Sequence, residues 1–184
     1  MAYQPPFTVT PRLVGQIETI AALRERIAAA TIQVPWIPAL QKDARTRNAH
    51  GSTAIEGNPL TLEQVRAIEE GRPVNVAERS KREILNYFAA LRFIERQERK
   101  RAMTHDDILA LHRLIATGVM DQGIAGRYRP MAVRVGRYLP PSPHEVSGLM
   151  RELLDWWNHH AAAWSPVISS AVLHYRFEAI HPFA

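Results

Sequence analysis

Apolar residues recur every three or four positions through most of the chain, which is the pattern of helices with one buried face. One such series follows Thr10-Pro11 and consists of Leu13, Val14, Ile17, Ile20 and Ile27. A second consists of Ile84, Leu85, Phe88, Leu91 and Ile94, and a third of Val146, Leu149, Met150, Leu153 and Trp157. The pattern predicts an all-α protein.

Helix-capping residues stand where the predicted helices begin. Thr61 with Gln64 and Ser142 with Glu145 have the spacing of capping boxes, in which two side chains satisfy free backbone N–H groups. Further N-caps are predicted at Thr10, Thr104 and Ser165. Gly57 is predicted to end a helix over "ALQKDARTRNAHGSTAIE", because glycine adopts the left-handed conformation that closes many helices.

One stretch departs from the helical pattern. "GRYRPMAVRVGRYLPPSP" alternates apolar and polar residues around a glycine and contains several prolines, which predicts a short β-hairpin. Its basic residues are Arg127, Arg129, Arg134 and Arg137, and no acidic residue lies among them. The predicted organisation is an N-terminal helical arm over residues 1–35, followed by a helical domain with one hairpin over residues 36–184.

The composition limits the possible classes. A chain of 184 residues with 46% hydrophobic content can build one core, and the absence of cysteine excludes disulfides and thiolate metal sites. The N-terminus has no secretory signal pattern, and no apolar run approaches the ~20 residues that span a membrane. We therefore expect a cytoplasmic protein with no membrane partner.

The net charge of +5, from 23 Lys and Arg against 18 Asp and Glu, permits two interpretations. One is a non-catalytic basic helical module that binds nucleic acid or a protein partner through its arginine-rich hairpin. The other is a solvated helical surface of mixed charge, which "ERSKREILNYFAALRFIERQERKR" resembles more closely.

His181 is the first candidate for chemistry. Pro182 disfavours helical geometry at the residue before it, so His181 is expected where the last helix ends. Histidine is suited to general acid-base work because its ordinary pKa lies near neutrality. His174 shares a helical face with His181, but no third ligand at a recognisable spacing supports a metal site there.

Ser52 and Glu56 form a second candidate. They are four residues apart and so lie on one face of the predicted helix. Glu56 stands in the last turn, where the helix dipole disfavours a carboxylate by about 0.3–1 kcal/mol, which calls for a cationic partner. From spacing alone, a solvated glutamate before a capping glycine is the commoner explanation.

Four stretches together resemble the Fic family. "HPFA" is similar to the opening of its signature H-P-F-x-[D/E]-G-N-G-R, and "STAIEG" fits its inhibitory pattern [S/T]-x-x-x-E-[G/N]. "GRYR…VRVGRYLPPSPHEV" resembles the substrate-binding hairpin, or flap, with the helix that follows it. "EILNYFAAL" resembles the helix that precedes the family core. Taken together, the resemblance covers residues 36 to 184.

The resemblance implies an activity. Fic proteins mostly transfer AMP from ATP to a Ser, Thr or Tyr hydroxyl of a target protein, and an N-terminal inhibitory helix is typical of their class II. ATP and Mg²⁺ are therefore the expected co-substrate and metal. The metal ligand and the phosphate-binding residues are expected after Ala184, so the 184 residues on their own are expected to be inactive.

The resemblance also assigns roles to residues of this chain. His181 would be the general base. Ser52, Glu56 and Gly57 would form the inhibitory segment, in which Glu56 pairs with an arginine of the signature and obstructs the γ-phosphate of ATP. The flap would consist of Arg134, Val135, Gly136 and Tyr138. Transfer of another group, removal of AMP by means of Glu56, and a homo-oligomeric state all stay open.

Overall fold

The computed structural model describes residues 3–30, 35–97 and 101–184. In these residues it has seven α-helices and no sheet, which confirms the all-α class. The helices are α1 (Pro11–Ala29), α2 (Ile37–Ile55), α3 (Leu62–Glu69), α4 (Glu78–Glu95), α5 (His105–Ala116), α6 (Pro143–His159) and α7 (Pro166–Ile180). None of the described helices has the length and apolar character needed to cross a membrane.

Five of the seven described helices begin after a predicted N-cap, although Ser165 makes no side-chain capping hydrogen bond; the five caps are Thr10, Thr61, Thr104, Ser142 and Ser165. At α3, the N–H of Gln64 donates to the Thr61 hydroxyl at 3.3 Å and the N–H of Thr61 donates to the Gln64 side chain at 2.9 Å. The same reciprocal box joins Ser142 and Glu145 at α6. Each box satisfies backbone donors that have no partner inside the helix. Local sequence therefore decides where these helices begin.

The chain divides into two compact units. One combines Met1–Val34 with Arg134–Pro182, and the other combines Pro35–Val133 with Phe183–Ala184. We call the first the α6–α7 unit, although it also contains α1, and the second the α2–α5 unit.

The core of the α2–α5 unit lies between α2, α3 and α4. Its buried side chains are Ala49, Leu60, Val65, Ile68, Ile84 and Phe88. Burial of a large aliphatic or aromatic side chain contributes about 1.5–3 kcal/mol, so this cluster is the main support of α2 and its C-terminal end. Helix α5 packs against α4.

The buried residues of the α6–α7 unit come mainly from α6. The buried residues of α6 are Val146, Met150, Leu153, Leu154 and Trp156. The predicted stripe placed Trp157 on the buried face, whereas Trp156 is 2% exposed and Trp157 is only half-buried. Ser169 of α7 donates its hydroxyl to the Ala161 carbonyl at 2.7 Å and so joins α7 to the 3₁₀ turn Ala161–Ala163.

The predicted β-hairpin is wrong in extent. Within the described residues it is reduced to one antiparallel bridge, between Val135 and Tyr138. The next hydrogen-bonded pair of such a ladder would be Val133 with residue 140, and it requires the N–H of residue 140. That residue is Pro140, which has no N–H to donate.

Candidate functional site

His181 ends α7 in an unusual backbone conformation. Its φ of 47° and ψ of 65° lie in the left-handed region, and it is the one non-glycine with positive φ among the described residues. Its N–H donates to the Phe177 carbonyl at 2.9 Å, which closes the helix. This conformation costs roughly 1–2 kcal/mol for a residue with a Cβ. The imidazole is thus held at a helix end at an energetic cost.

A cleft of about 380 Å³ opens beside His181. Its lining residues are Val135, Tyr138, Tyr175, Glu178, Ala179 and His181. All of them belong to the α6–α7 unit. The Tyr138 hydroxyl donates to the Ala179 carbonyl at 2.7 Å, which fixes the tight turn at residues 135–138 against the last turn of α7. The sequence-predicted base and two of the predicted flap residues therefore share one cleft.

The tight turn has the geometry of a two-residue hairpin loop. Val135 and Tyr138 exchange backbone hydrogen bonds of 3.0 and 2.9 Å around Gly136 and Arg137. Gly136 has a φ of 57°, while Arg137 is not among the positive-φ residues, which is the pattern of a type II′ turn. Arg134 and Arg137 are exposed on either side of Val135 and Gly136.

The predicted inhibitory segment lies at the C-terminal end of α2. Glu56 is the exposed C-cap residue, and Gly57 follows with a φ of 91°. Two N–H groups, from Gly57 and Asn58, donate to the carbonyls of the last helical turn at 3.0 Å each. The buried Asn58 side chain donates to the Ser80 carbonyl at 3.0 Å and to the Glu83 carboxylate at 2.6 Å. The segment is thus fixed to α4.

Ser52 belongs to a hydrogen-bond network that no sequence pattern predicts. Its hydroxyl lies 3.0 Å from the Tyr87 hydroxyl and donates to the Asn48 side-chain oxygen at 3.2 Å. Tyr87 of α4 also donates to that oxygen, at 2.7 Å. Because partners from two helices meet here, spacing within one helix could not reveal the network. It fixes the last turns of α2 against α4.

Phe183 has a well-defined environment in the α2–α5 unit. Its ring stacks on the His112 imidazole of α5, with a centroid distance of 3.6 Å and an interplanar angle of 8°. The Gly126 N–H donates to Nδ1 of the same imidazole at 3.0 Å. Tyr128 lies on another side of Phe183, with the ring centroids 5.6 Å apart. Burial lowers the pKa of His112.

Tyr128 is fixed in turn by His105. Its hydroxyl and the His105 Nδ1 are 2.7 Å apart. Burial, with a smaller contribution from the Asp106 carboxylate, raises the pKa of Tyr128 to about 12. The phenol therefore stays neutral at physiological pH. His112 and Tyr128 had no distinguishing pattern in the sequence.

The four arginines of the predicted hairpin have different environments. Arg129 is 3% exposed and donates to the Met131 carbonyl at 3.0 Å, so it stabilises the fold. Arg127, Arg134 and Arg137 are exposed. Only these three are accessible to a partner.

Metal-ligating side chains do not converge in the described part of the chain. No group of three or more His, Asp or Glu residues there could hold a metal ion. The pair of His174 and His181 therefore gains no third ligand from these residues.

Comparison with known proteins supports the resemblance that the sequence suggested. The Fic/DOC family model matches residues 102–184. The protein adenylyltransferase Fic of Drosophila ananassae is 31% identical over 174 residues, which are 91% of this chain and 34% of that protein. The protein adenylyltransferase fic-1 of Caenorhabditis elegans is 36% identical over 138 residues, which are 72% of this chain and 27% of that protein. The chain spans about a third of the length of these curated relatives.

Solved structures have the same fold. A Fic family protein from Desulfovibrio desulfuricans G20 superposes with a TM-score of 0.86 at 35% identity, over 99% of this chain and 55% of that one. Fic-1 from C. elegans superposes with a TM-score of 0.78 at 28% identity, over 95% of this chain and 54% of that one. Their helical fold agrees with the helices described above.

Proposed function

Because this chain belongs to the Fic/DOC family, we propose that the protein transfers AMP from ATP to a Ser, Thr or Tyr hydroxyl of a target protein. The observation that carries the proposal is the cleft in which His181 and the type II′ turn lie together. Two named relatives are protein adenylyltransferases, which supports the same reaction class.

His181 is the general base in this proposal. The neutral imidazole accepts the proton of the target hydroxyl while the hydroxyl oxygen bonds to the α-phosphorus of ATP. The bond from that phosphorus to the β-phosphate bridging oxygen breaks, and pyrophosphate leaves. The imidazolium then releases its proton to solvent. A base positioned in this way contributes about 10²–10⁴-fold to the rate.

The turn at residues 135–138 positions the target in the same proposal. Val135 and Tyr138 face the cleft that contains His181. Their short ladder leaves backbone N–H and C=O groups of the flanking residues available to an extended target segment, which would add to them as a strand. We expect Arg134, Val135, Gly136 and Tyr138 to contact the target at this flap.

Glu56 regulates the reaction in this proposal. It is exposed at the end of a helix whose position is fixed by the Asn58 contacts and the Ser52–Tyr87–Asn48 network. The carboxylate would meet an arginine needed to hold the phosphates of ATP, and so would slow transfer.

The described residues do not themselves form a Mg²⁺ site. ATP enters the proposal as substrate, and the side chains assigned to the reaction are His181 and the flap residues.

Labelled ATP tests the proposal. The full-length protein is incubated with Mg-ATP labelled at the α-phosphate, and protein-bound label is measured for the wild type, Glu56→Gly and Glu56→Gly with His181→Ala. We expect Glu56→Gly to raise labelling about tenfold to a hundredfold, since one charge-assisted contact contributes ~1.5–3 kcal/mol. The added His181→Ala should abolish the gain.

The matched control uses ATP labelled at the γ-phosphate, which must leave the proteins unlabelled. Retention of the γ-label would indicate phosphate transfer and contradict AMP transfer. An unchanged or lower rate in Glu56→Gly would contradict the inhibitory role and favour a role for Glu56 in removing AMP.

A second candidate is a basic binding module, which the exposed Arg127, Arg134 and Arg137 favour. Replacing the three by Gln should then weaken binding to a duplex oligonucleotide and reduce its salt dependence. If the wild type binds no oligonucleotide at 50 mM salt, nucleic-acid binding is excluded.

A further inference from the structure

The stack of Phe183 on His112 has a chemical consequence for the neighbouring base. Phe183 follows His181 with only Pro182 between them, so their Cα atoms lie within about 7 Å of each other in any conformation. Whatever fixes Phe183 therefore restricts the path of the backbone that leaves His181. The proline between them narrows that path further, because its φ is fixed near −65°.

His112 is suited to fix Phe183. Its ring is held in plane by the Gly126 N–H, which donates to Nδ1 at 3.0 Å. Nδ1 must then be unprotonated, so the ring is neutral with its proton on Nε2. Burial favours the same neutral form. The stacked ring plane therefore has one defined orientation.

Gly126 is constrained as well. Its φ is 79°, and a Cβ at this position would lie 2.8 Å from Arg113 Nε and 3.0 Å from the Leu109 carbonyl oxygen. Only glycine allows this loop to approach α5 so closely. The donor to His112 is thus fixed by the same helix that carries His112.

We propose that His112 is a positioning residue for AMP transfer: held by Gly126, it clamps Phe183 and thereby limits the conformations of the three-residue segment that runs from the base His181 to Phe183. The inference rests on the proposed function. His112 has no contact with substrate in this role, and acts through Phe183 alone.

The test measures kcat and KM for AMP transfer in the full-length Glu56→Gly protein with changes at His112. His112→Ala removes both the stack and the acceptor, and we expect kcat to fall ten- to a hundredfold with KM for ATP and target within about twofold, as for a base displaced by ~1 Å. His112→Phe keeps a stacking ring and should retain kcat within about fivefold, although its lost acceptor lowers Tm. Phe183→Ala should lower kcat as His112→Ala does, and the double variant should be no slower than Phe183→Ala.

His159→Ala is the matched control, because His159 is an exposed histidine at the end of α6 and should leave both constants unchanged. The proposal is overturned if His112→Ala keeps kcat within twofold, or if His112→Phe loses as much as His112→Ala. It is also overturned if the Ala effects at 112 and 183 multiply in the double variant.

A readout without activity separates this inference from the proposed function. ¹⁵N NMR of the imidazoles should show His112 as the Nε2–H tautomer at pH 7, with the Nδ1 resonance coupled to the Gly126 amide. A protonated Nδ1 would overturn the clamp even in an active enzyme. An inactive Glu56→Gly parent with the expected NMR signature would refute the proposed function, and with it the catalytic role of the clamp.

Discussion

Helices α2 and α7 end in similar ways but with different residues. After α2, the positive φ of 91° belongs to Gly57, whereas after α7 the positive φ of 47° belongs to His181. Each end is also held by a tyrosine hydroxyl from another segment, Tyr87 at α2 and Tyr138 at α7. Both helices thus end at a residue with positive φ, which is a glycine after α2 and a residue with a Cβ after α7.

The difference between the two helix ends lies in the side chain of the residue that has the positive φ. Glycine adopts positive φ at almost no steric cost, whereas histidine does so at roughly 1–2 kcal/mol. At α2 the closing residue only ends the helix, and the side chain of interest is Glu56 before it. At α7 the closing residue itself carries the imidazole, and its role as the base in the proposed function would account for this cost.

The largest expected effect comes from placing glycine, the residue type that closes α2, at the end of α7. In the full-length Glu56→Gly protein, His181→Gly and His181→Ala should both lower AMP transfer by about 10²–10⁴-fold, because both remove the base. Thermal unfolding should separate them. His181→Gly should be more stable than His181→Ala by about 0.5–1 kcal/mol, since only glycine relieves the strain. Equal Tm values would contradict a strained α7 end.

Replacing the glycine that closes α2 by a residue with a Cβ should lower the free energy of unfolding. Gly57→Ala should lower the free energy of unfolding by about 1–2 kcal/mol, because alanine is strained at positive φ although the position has open space around it. Gly51→Ala is the matched control: Gly51 lies inside α2, also in open space, and alanine there should stabilise by about 0.5–1 kcal/mol. Urea titrations give both values. Equal shifts for the two variants would contradict this account.

Removing the hydroxyl that holds each end should have smaller effects. Tyr87→Phe removes contacts with Ser52 and Asn48 and should cost about 1–1.5 kcal/mol of unfolding free energy. In the full-length protein it should also raise AMP transfer, and by less than Glu56→Gly does, because the inhibitory helix becomes less fixed. No further gain is expected when Tyr87→Phe is added to Glu56→Gly. A multiplicative gain would show that Tyr87 acts independently of Glu56.

The smallest effect is expected at α7. Tyr138→Phe removes one exposed hydrogen bond to the Ala179 carbonyl and should cost about 0.5 kcal/mol. KM for the target should rise, with KM for ATP unchanged, because the flap is less firmly held beside the cleft. A rise in both KM values would indicate general loosening instead.

Local features of this fold could be predicted from the sequence. The capping boxes at Thr61 and Ser142, and the end of α7 before Pro182, depend on residues within four positions of each other. The extent of the hairpin could not be judged from alternation, because Pro140 removes a donor only once the pairing register is known. The alternation of apolar and polar residues does not determine the pairing register.

Features formed by distant residues could not be predicted. The stack of His112 on Phe183 joins residues about 70 positions apart, and the contacts of Ser52 with Tyr87 join two helices. Neither produces a periodic or spaced pattern in one sequence. The roles proposed for His181 and Glu56 rest on the family resemblance, since spacing alone leaves a helix cap and a solvated glutamate as sufficient explanations.

The N-terminal segment has a consequence for the order of folding during synthesis. Tyr3 packs edge-on against Trp156 with the ring centroids 6.0 Å apart, and Phe7 packs against Trp164 at 5.1 Å. At a synthesis rate of ~5–20 residues per second, Tyr3 is added to the chain roughly 8–30 s before Trp156. Helices α2 to α5 are synthesised within that interval. During it Tyr3 and Phe7 lack the tryptophans against which they pack. A chaperone that binds exposed aromatic segments would therefore have that interval in which to bind the segment of Tyr3 and Phe7.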